Sequence, residues 1–237
     1  GAMNEGYMAT VLGVPGMPRV AEDIAVARNI LLAKLTGCPL HLLHISTAGT
    51  VELLRRAKAD GVRVTGEACP HHWVLTDEAC ANYNTDAKMN PPLRTPEDCE
   101  AIKQGLADGT IDCIVTDHAP HAGYEKEVEF DQAPFGILGL ETSFPLVYTT
   151  LVKPGLLSLS AAIAKMTLEP ARILNLEEGV GTLKPGAPAD VTVLDLDTVW
   201  KIDRNAVQSK SKNTPFHGME VQGRAVFTLV GGRKIQI

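Results

Sequence analysis

Aromatic residues are scarce, at 5% of the 237 residues, and positive charge never gathers into a run. With 22 Lys and Arg against 28 Asp and Glu, the net charge is −6. No nucleic acid or anionic membrane is therefore expected as a partner. There is no apolar stretch of membrane-spanning length, and the first residues carry no signal-peptide pattern. The five cysteines (Cys38, Cys69, Cys80, Cys99, Cys113) are odd in number and include no CxxC pair. Their scatter argues against a disulfide frame or a structural zinc, and for reduced thiols in a cytoplasmic protein. Tandem repeats and low-complexity tracts are missing too. What remains is an ordinary globular composition, 45% hydrophobic and 21% charged, with room for one large domain or two small ones.

The first two-thirds of the chain alternates helical and strand patterns. Apolar residues at helical spacing (Val20, Ile24, Ala27, Ile30, Leu31, Leu35) predict a helix from Val20 to Leu35, stopped by Gly37. Pro39 to Ile45 reads as a strand, Thr50 to Ala59 as a helix and Val62 to Ala68 as a β-branched strand. Pro96 to Leu106 follows Thr95, a good N-cap, with Asp98 in the first turn. Ile111 to Val115 is a third strand, and helices are expected over Glu141 to Leu151 and Leu159 to Leu174, the latter interrupted near Pro170. Repeated strand–helix units imply a parallel α/β sheet. After Leu176, glycines and prolines punctuate the chain, and Ala189 to Leu196 and Val221 to Val230 alternate as antiparallel strands. The expected division is residues 1–180 and 181–237, with the boundary near Gly181.

Polar clusters follow all three parallel strands. In Thr116-Asp117-His118-Ala119-Pro120-His121 a carboxylate and two imidazoles crowd the end of a buried strand. That is costly unless they meet a metal, a substrate or each other, and barrel folds keep their chemistry at such ends. A turn cap is the bland reading of Asp117. In His41-Leu-Leu-His44-Ile-Ser46 the two histidines have opposite strand parity. His44, nearer the C-terminal end, is the better ligand, and His41 reads as a packing or surface residue. Glu67-Ala-Cys69-Pro70-His71-His72 reads as a loop hydrogen-bond network at the mouth of a site rather than a metal site. In Lys88-Met89-Asn90-Pro91-Pro92-Leu93-Arg94 the prolines stiffen Asn90, whose amide suits recognition of an amide or imide edge.

The order HLLHIST, EACPHHWVLT, KMNPPLR, GTIDCIVTDHAPH and APFGILGLET resembles the bacterial type I dihydroorotases of the cyclic amidohydrolase group. The likeness runs from Met3-Asn4-Glu5-Gly6 to Val230-Gly231-Gly232, and it includes Ala189-Asp190-Val191-Thr192-Val193 and Lys212-Asn213-Thr214-Pro215-Phe216. It implies the C-terminal part of a metal-dependent (β/α)8 TIM barrel, strands 6 to 8, plus part of a small β-sandwich domain. It implies His44 and Asp117 as metal ligands, with Asp117 also the general acid/base, and one or two zinc ions. It further implies Asn90 and His121 as contacts to the substrate ring and carboxylate, and Phe135-Gly136 as a main-chain clamp. The implied reaction is the reversible cyclisation of N-carbamoyl-L-aspartate to L-dihydroorotate in de novo pyrimidine synthesis.

The family also needs a His-x-His pair with a nearby Arg, a bridging carboxylate and a further His on earlier strands, none of them present in this sequence. The expectation is therefore a fragment, inactive alone, that needs the N-terminal portion of the enzyme. A homodimer is expected, and aspartate transcarbamoylase is a candidate partner. Two alternatives stay open: another cyclic-amide hydrolase of allantoinase or hydantoinase type, and a non-catalytic dihydroorotase-like scaffold for aspartate transcarbamoylase.

Overall fold

Apolar and polar residues alternate through Val64–Ala68, and this strand sits at the centre of a three-stranded parallel sheet. A computed structural model describes residues 1–176 and 179–235. A small parallel pair, β1 (Met3–Asn4) and β2 (Gly16–Met17), flanks α1 (Tyr7–Leu12) and leads into α2 (Arg19–Thr36). The main sheet then forms from β3 (Leu40–Leu42), β4 (Val64–Ala68) and β5 (Cys113–Ile114), in that order. Helix α3 (Ala48–Ala59) joins β3 to β4, and α4 (Pro70–Val74) and α5 (Pro96–Ala107) lie between β4 and β5. Register pairs His41 with Thr65 and Glu67 with Cys113.

Local chemistry sets the helix ends. Thr47 accepts from the Thr50 N–H at 3.1 Å to start α3. Asp98 reaches back to the Thr95 N–H at 3.3 Å at the head of α5, closing orphan donors that helix starts otherwise leave bare. Between sheet and helices lie Leu42, Val51, Leu54, Val64, Ile102, Leu106 and Ile111, all buried. Each such side chain contributes about 1.5–3 kcal/mol on burial. Gly66 in β4 leaves room for two core side chains: a Cβ there would lie 2.7 Å from Ile45 Cδ1 and 2.8 Å from Leu54 Cδ2, and both would have to shift.

Beyond β5 come α6 (Gly123–Lys126), α7 (Ser143–Val147), a wider π turn over Tyr148–Val152, α8 (Leu159–Met166) and α9 (Leu168–Ile173). An antiparallel sheet follows, β6 (Val191–Lys201), β7 (Glu220–Val230) and β8 (Arg233–Ile235). It docks on α7 and the π turn that follows, where the Gln222 N–H donates to Thr149 Oγ1 at 2.8 Å. Phe216, Ile202 and Val221 share one core with Met89, Ile137 and Leu146.

Several expectations shift. The break expected near Pro170 falls three residues earlier, at Thr167 (φ −134°, ψ −73°). Pro170 is the third residue of α9, where its missing N–H costs nothing. His71 and His72 ride on a short helix rather than a loop, because Pro70 occupies its first position. Of the apolar stripe on α2, Val20, Ile24, Leu31 and Leu35 are exposed and Ala27 and Ile30 half-buried, whereas the buried residues of the helix, Val26 and Ala33, lie outside that stripe. No helix of the described residues is long and apolar enough to cross a membrane.

Candidate active site

The C-terminal edge of the parallel sheet gathers the polar clusters. His44 stands two residues past β3 and Asp117 three past β5, on either side of β4, and both adopt left-handed backbone (φ 36° and 46°). Non-glycine residues held in that region concentrate at functional sites. Asp117 is exposed, and among the described residues its carboxylate caps no turn. His41 parts company with His44: its Nε2 lies 2.9 Å from Glu67 Oε2 and its Nδ1 2.7 Å from Thr65 Oγ1. It is thus a half-buried member of a polar ladder across the sheet, beside Cys113.

Behind the strand ends, Cys69, His71 and His72 place one ligand atom each within 4.8 Å of one another, all buried. The rings of His71 and His72 meet edge to face at 4.3 Å. The expected hydrogen-bond network is mostly absent. His72 Nε2 donates to the Pro91 carbonyl at 2.9 Å, but His72 Nδ1, His71 Nε2 and His44 Nδ1 are buried without partners. Burial holds the His71 imidazole well below its usual range, helped by His72 and His44, and pushes His72 down to about 3. Burial, with Asp117 nearby, raises the Cys69 thiol. Buried polar atoms normally carry a partner. His44 Nδ1, without a partner on one side of β4, and the Asp117 carboxylate on the other supply an imidazole and a carboxylate donor of the kinds zinc takes.

The second half of the site is a pair of apposed loops. His121 Nε2 lies 2.9 Å from the Phe135 carbonyl. A carbonyl only accepts, so Nε2 carries the hydrogen, and Nδ1 lies 3.7 Å from Glu125 Oε2. The Gly136 N–H donates to the Lys88 carbonyl at 2.9 Å, two residues before Asn90, whose side chain is exposed beside a cis bond to Pro91. The Gly136 carbonyl accepts from Asn213 Nδ2 at 3.1 Å. Three of the four main-chain polar groups of Phe135-Gly136 are thus engaged within the protein, which narrows how this dipeptide could clamp a ligand.

Buried cations support the loops. Lys88 Nζ donates to the Asp131 and Ala133 carbonyls at 3.0 and 2.6 Å. Lys126 Nζ donates to the Thr85 and Pro134 carbonyls at 2.9 and 2.8 Å, and burial lowers its ammonium to about 8. Arg94, also buried, donates to Ser46 Oγ at 3.2 Å and Asn4 Oδ1 at 3.0 Å, with Glu22 at 3.7 Å. The sequence flagged Lys88 and Arg94 only as part of a motif, and left Glu22 and Lys126 unmarked. Two grooves of about 830 and 570 Å³ lie elsewhere, around Arg172 and Ala187 and between Phe144 and Val207.

Three parallel strand–helix units with imidazole and carboxylate donors at one edge define an α/β-barrel hydrolase architecture of the metal-dependent type. The chain belongs to the amidohydrolase family, whose pattern matches residues 12–235. A dihydroorotase of Endomicrobium trichonymphae is 55% identical over 98% of this chain and 55% of its own length. One from Pelotomaculum thermopropionicum is 54% identical over 99% and 55% respectively. Among solved structures, the L-hydantoinase (dihydropyrimidinase) of Arthrobacter aurescens superposes with a TM-score of 0.85 at 35% identity, covering 90% of this chain and 48% of that one. The chain spans about half the length of the curated relatives it matches.

Proposed function

We propose that this chain is the C-terminal part of a dihydroorotase, interconverting N-carbamoyl-L-aspartate and L-dihydroorotate when the N-terminal barrel strands are present. The observation that carries the reading is the convergence of His44, with its unpartnered Nδ1, and Asp117 at one sheet edge, beside the buried His71 and His72 and the His121 and Phe135-Gly136 loops. The identity to dihydroorotases over almost the whole chain supports it.

His44 and Asp117 would hold zinc, one or two ions, together with ligands outside this chain. Zinc bound there would polarise the ring carbonyl and make the attacking water more acidic. Asp117 accepts the proton of that water and returns it to the leaving ring nitrogen as the ring opens. Asn90 offers its amide to the imide edge of the ring, and His121 helps hold the substrate carboxylate. A barrel part over residues 1–180, a β-domain part over 181–237, a homodimer and a cytoplasmic setting complete the proposal. On its own the chain is inactive, since a catalytic zinc site takes three protein ligands and an open position.

Assay of the parent protein that carries the remaining strands, with dihydroorotate, allantoin and dihydrouracil, tests the function. Turnover of dihydroorotate in clear preference is expected. Preference for either of the others assigns a different cyclic-amide hydrolase. Capture of aspartate transcarbamoylase without any turnover assigns a scaffold.

A further inference from the structure

Asn213 lies far along the chain from the polar clusters, yet its side chain is buried between them. Its Oδ1 accepts from the His121 N–H at 3.1 Å. Its Nδ2 donates to the Ala119 carbonyl at 2.9 Å and the Gly136 carbonyl at 3.1 Å. Its own carbonyl accepts from the Leu138 N–H at 3.0 Å. Four bonds from one residue therefore join the loop after β5 to the loop after Phe135. The segment bearing it is itself anchored: Phe216 is packed among Met89, Ile137 and Leu146, and the Thr214 carbonyl takes Arg204 Nη2 at 3.1 Å. The two loops have little slack. A Cβ on Gly136 would stand 2.7 Å from Ala119 Cβ and 2.9 Å from His121 Nε2.

We propose that Asn213 is a positioning residue for substrate recognition: it holds the His121 backbone against Phe135-Gly136, so that the His121 ring is set to meet the substrate carboxylate. Substrate affinity thereby depends on a segment next to the antiparallel sheet that touches no reacting atom. The inference rests on the reading of His121 as a carboxylate contact. An amide suits the task as a carboxylate does not, because the site needs one acceptor and two donors on the same planar group. Asn213→Asp keeps the acceptor towards His121 but sets oxygen against the Ala119 and Gly136 carbonyls.

The test uses the full-length enzyme and whichever cyclic amide the wild type turns over, so an error in the substrate assignment is seen in the wild type first. Asn213→Ala is expected to raise KM at least tenfold, with kcat within about threefold and zinc content unchanged. Asn213→Asp, which is isosteric, should be worse than Asn213→Ala at pH 8. It should recover partly towards pH 5, where a protonated carboxyl can donate to one carbonyl. In a His121→Ala background, Asn213→Ala should add less than twofold to KM, since both changes remove the same contact. An unchanged KM in Asn213→Ala overturns the proposal. So does a KM effect that multiplies fully with that of His121→Ala, which marks a general structural role. Failure of the isosteric Asn213→Asp to give folded enzyme overturns it as well.

Discussion

Lys126 offers a stability test with a defined sign. Its ammonium is buried and bonded only to the Thr85 and Pro134 carbonyls, and its pKa falls from 10.5 to about 8. Below pH 8 the group is charged in both folded and unfolded states, and the fold bears the full cost of burying it. Between about pH 8 and 10.5 the unfolded chain holds the proton while the folded chain has released it, so stability rises with pH through that window. At about 1.4 kcal/mol per pH unit per proton, moving from pH 7.5 to 9.5 should add about 2 kcal/mol from this residue. With a urea m-value of about 2 kcal/mol/M, that is a midpoint shift of about 1 M. Burial raises the Cys80 and Cys113 thiols to about 12, and these act in the opposite direction above pH 9, so the informative quantity is a difference. Wild type and Lys126→Met are unfolded in urea at both pH values, in the enzyme that carries the whole barrel. The wild-type midpoint should gain about 1 M on the variant between pH 7.5 and 9.5. Curves that move in parallel would refute the reasoning, and would mean the ammonium is solvated where the structure buries it.

Three further outcomes follow from the site. Asp117→Asn in the full-length enzyme should lower kcat by several orders of magnitude, since an amide can neither take the proton nor match the charge; retention of about a tenth of wild-type kcat, a barrier change of about 1.4 kcal/mol, defeats the assignment. Asn90→Ala and His121→Ala should each weaken substrate binding by about 1.5–3 kcal/mol where the partner is charged, with zinc content unchanged. Loss of zinc from His121→Ala, by metal analysis, would make that residue a ligand instead. Gly136→Ala must push against Ala119 and His121 at φ +146°, so a loss of about 1–3 kcal/mol in urea unfolding is expected together with a raised KM; a wild-type midpoint would show that the loops can part.

The parallel sheet and its helices were legible because burial on one face writes a period into the sequence: β4, α3 and α5 fall within two residues of their expected bounds. The short pair β1–β2 was not, since a two-residue strand has no period to read. The apolar stripe on α2 was seen correctly as a stripe, but its orientation was not, because periodicity names a face without saying what covers it. His44 and Asp117 were singled out through residue type and position at a strand end, and the structure places both at the same edge of the sheet. The environment of His71 and His72 was missed, because whether an imidazole finds a partner depends on backbone carbonyls the sequence does not locate. Asn213 stood out only as part of a motif, and its four bonds reach back 75 residues or more along the chain to Ala119, His121, Gly136 and Leu138.

The left-handed backbone at His44 and Asp117 has a consequence for evolution in the laboratory. An L-residue with a Cβ costs about 1–2 kcal/mol in that region, and glycine escapes the cost. The two positions proposed as zinc ligands at this sheet edge are therefore also positions where the chain is conformationally unfavourable. A library selected for heat resistance alone should drift towards glycine or asparagine at 44 and 117, giving proteins that survive heating and no longer react. Selection that alternates heating with a growth requirement for the enzyme's product should keep both residues and push the stabilising changes elsewhere.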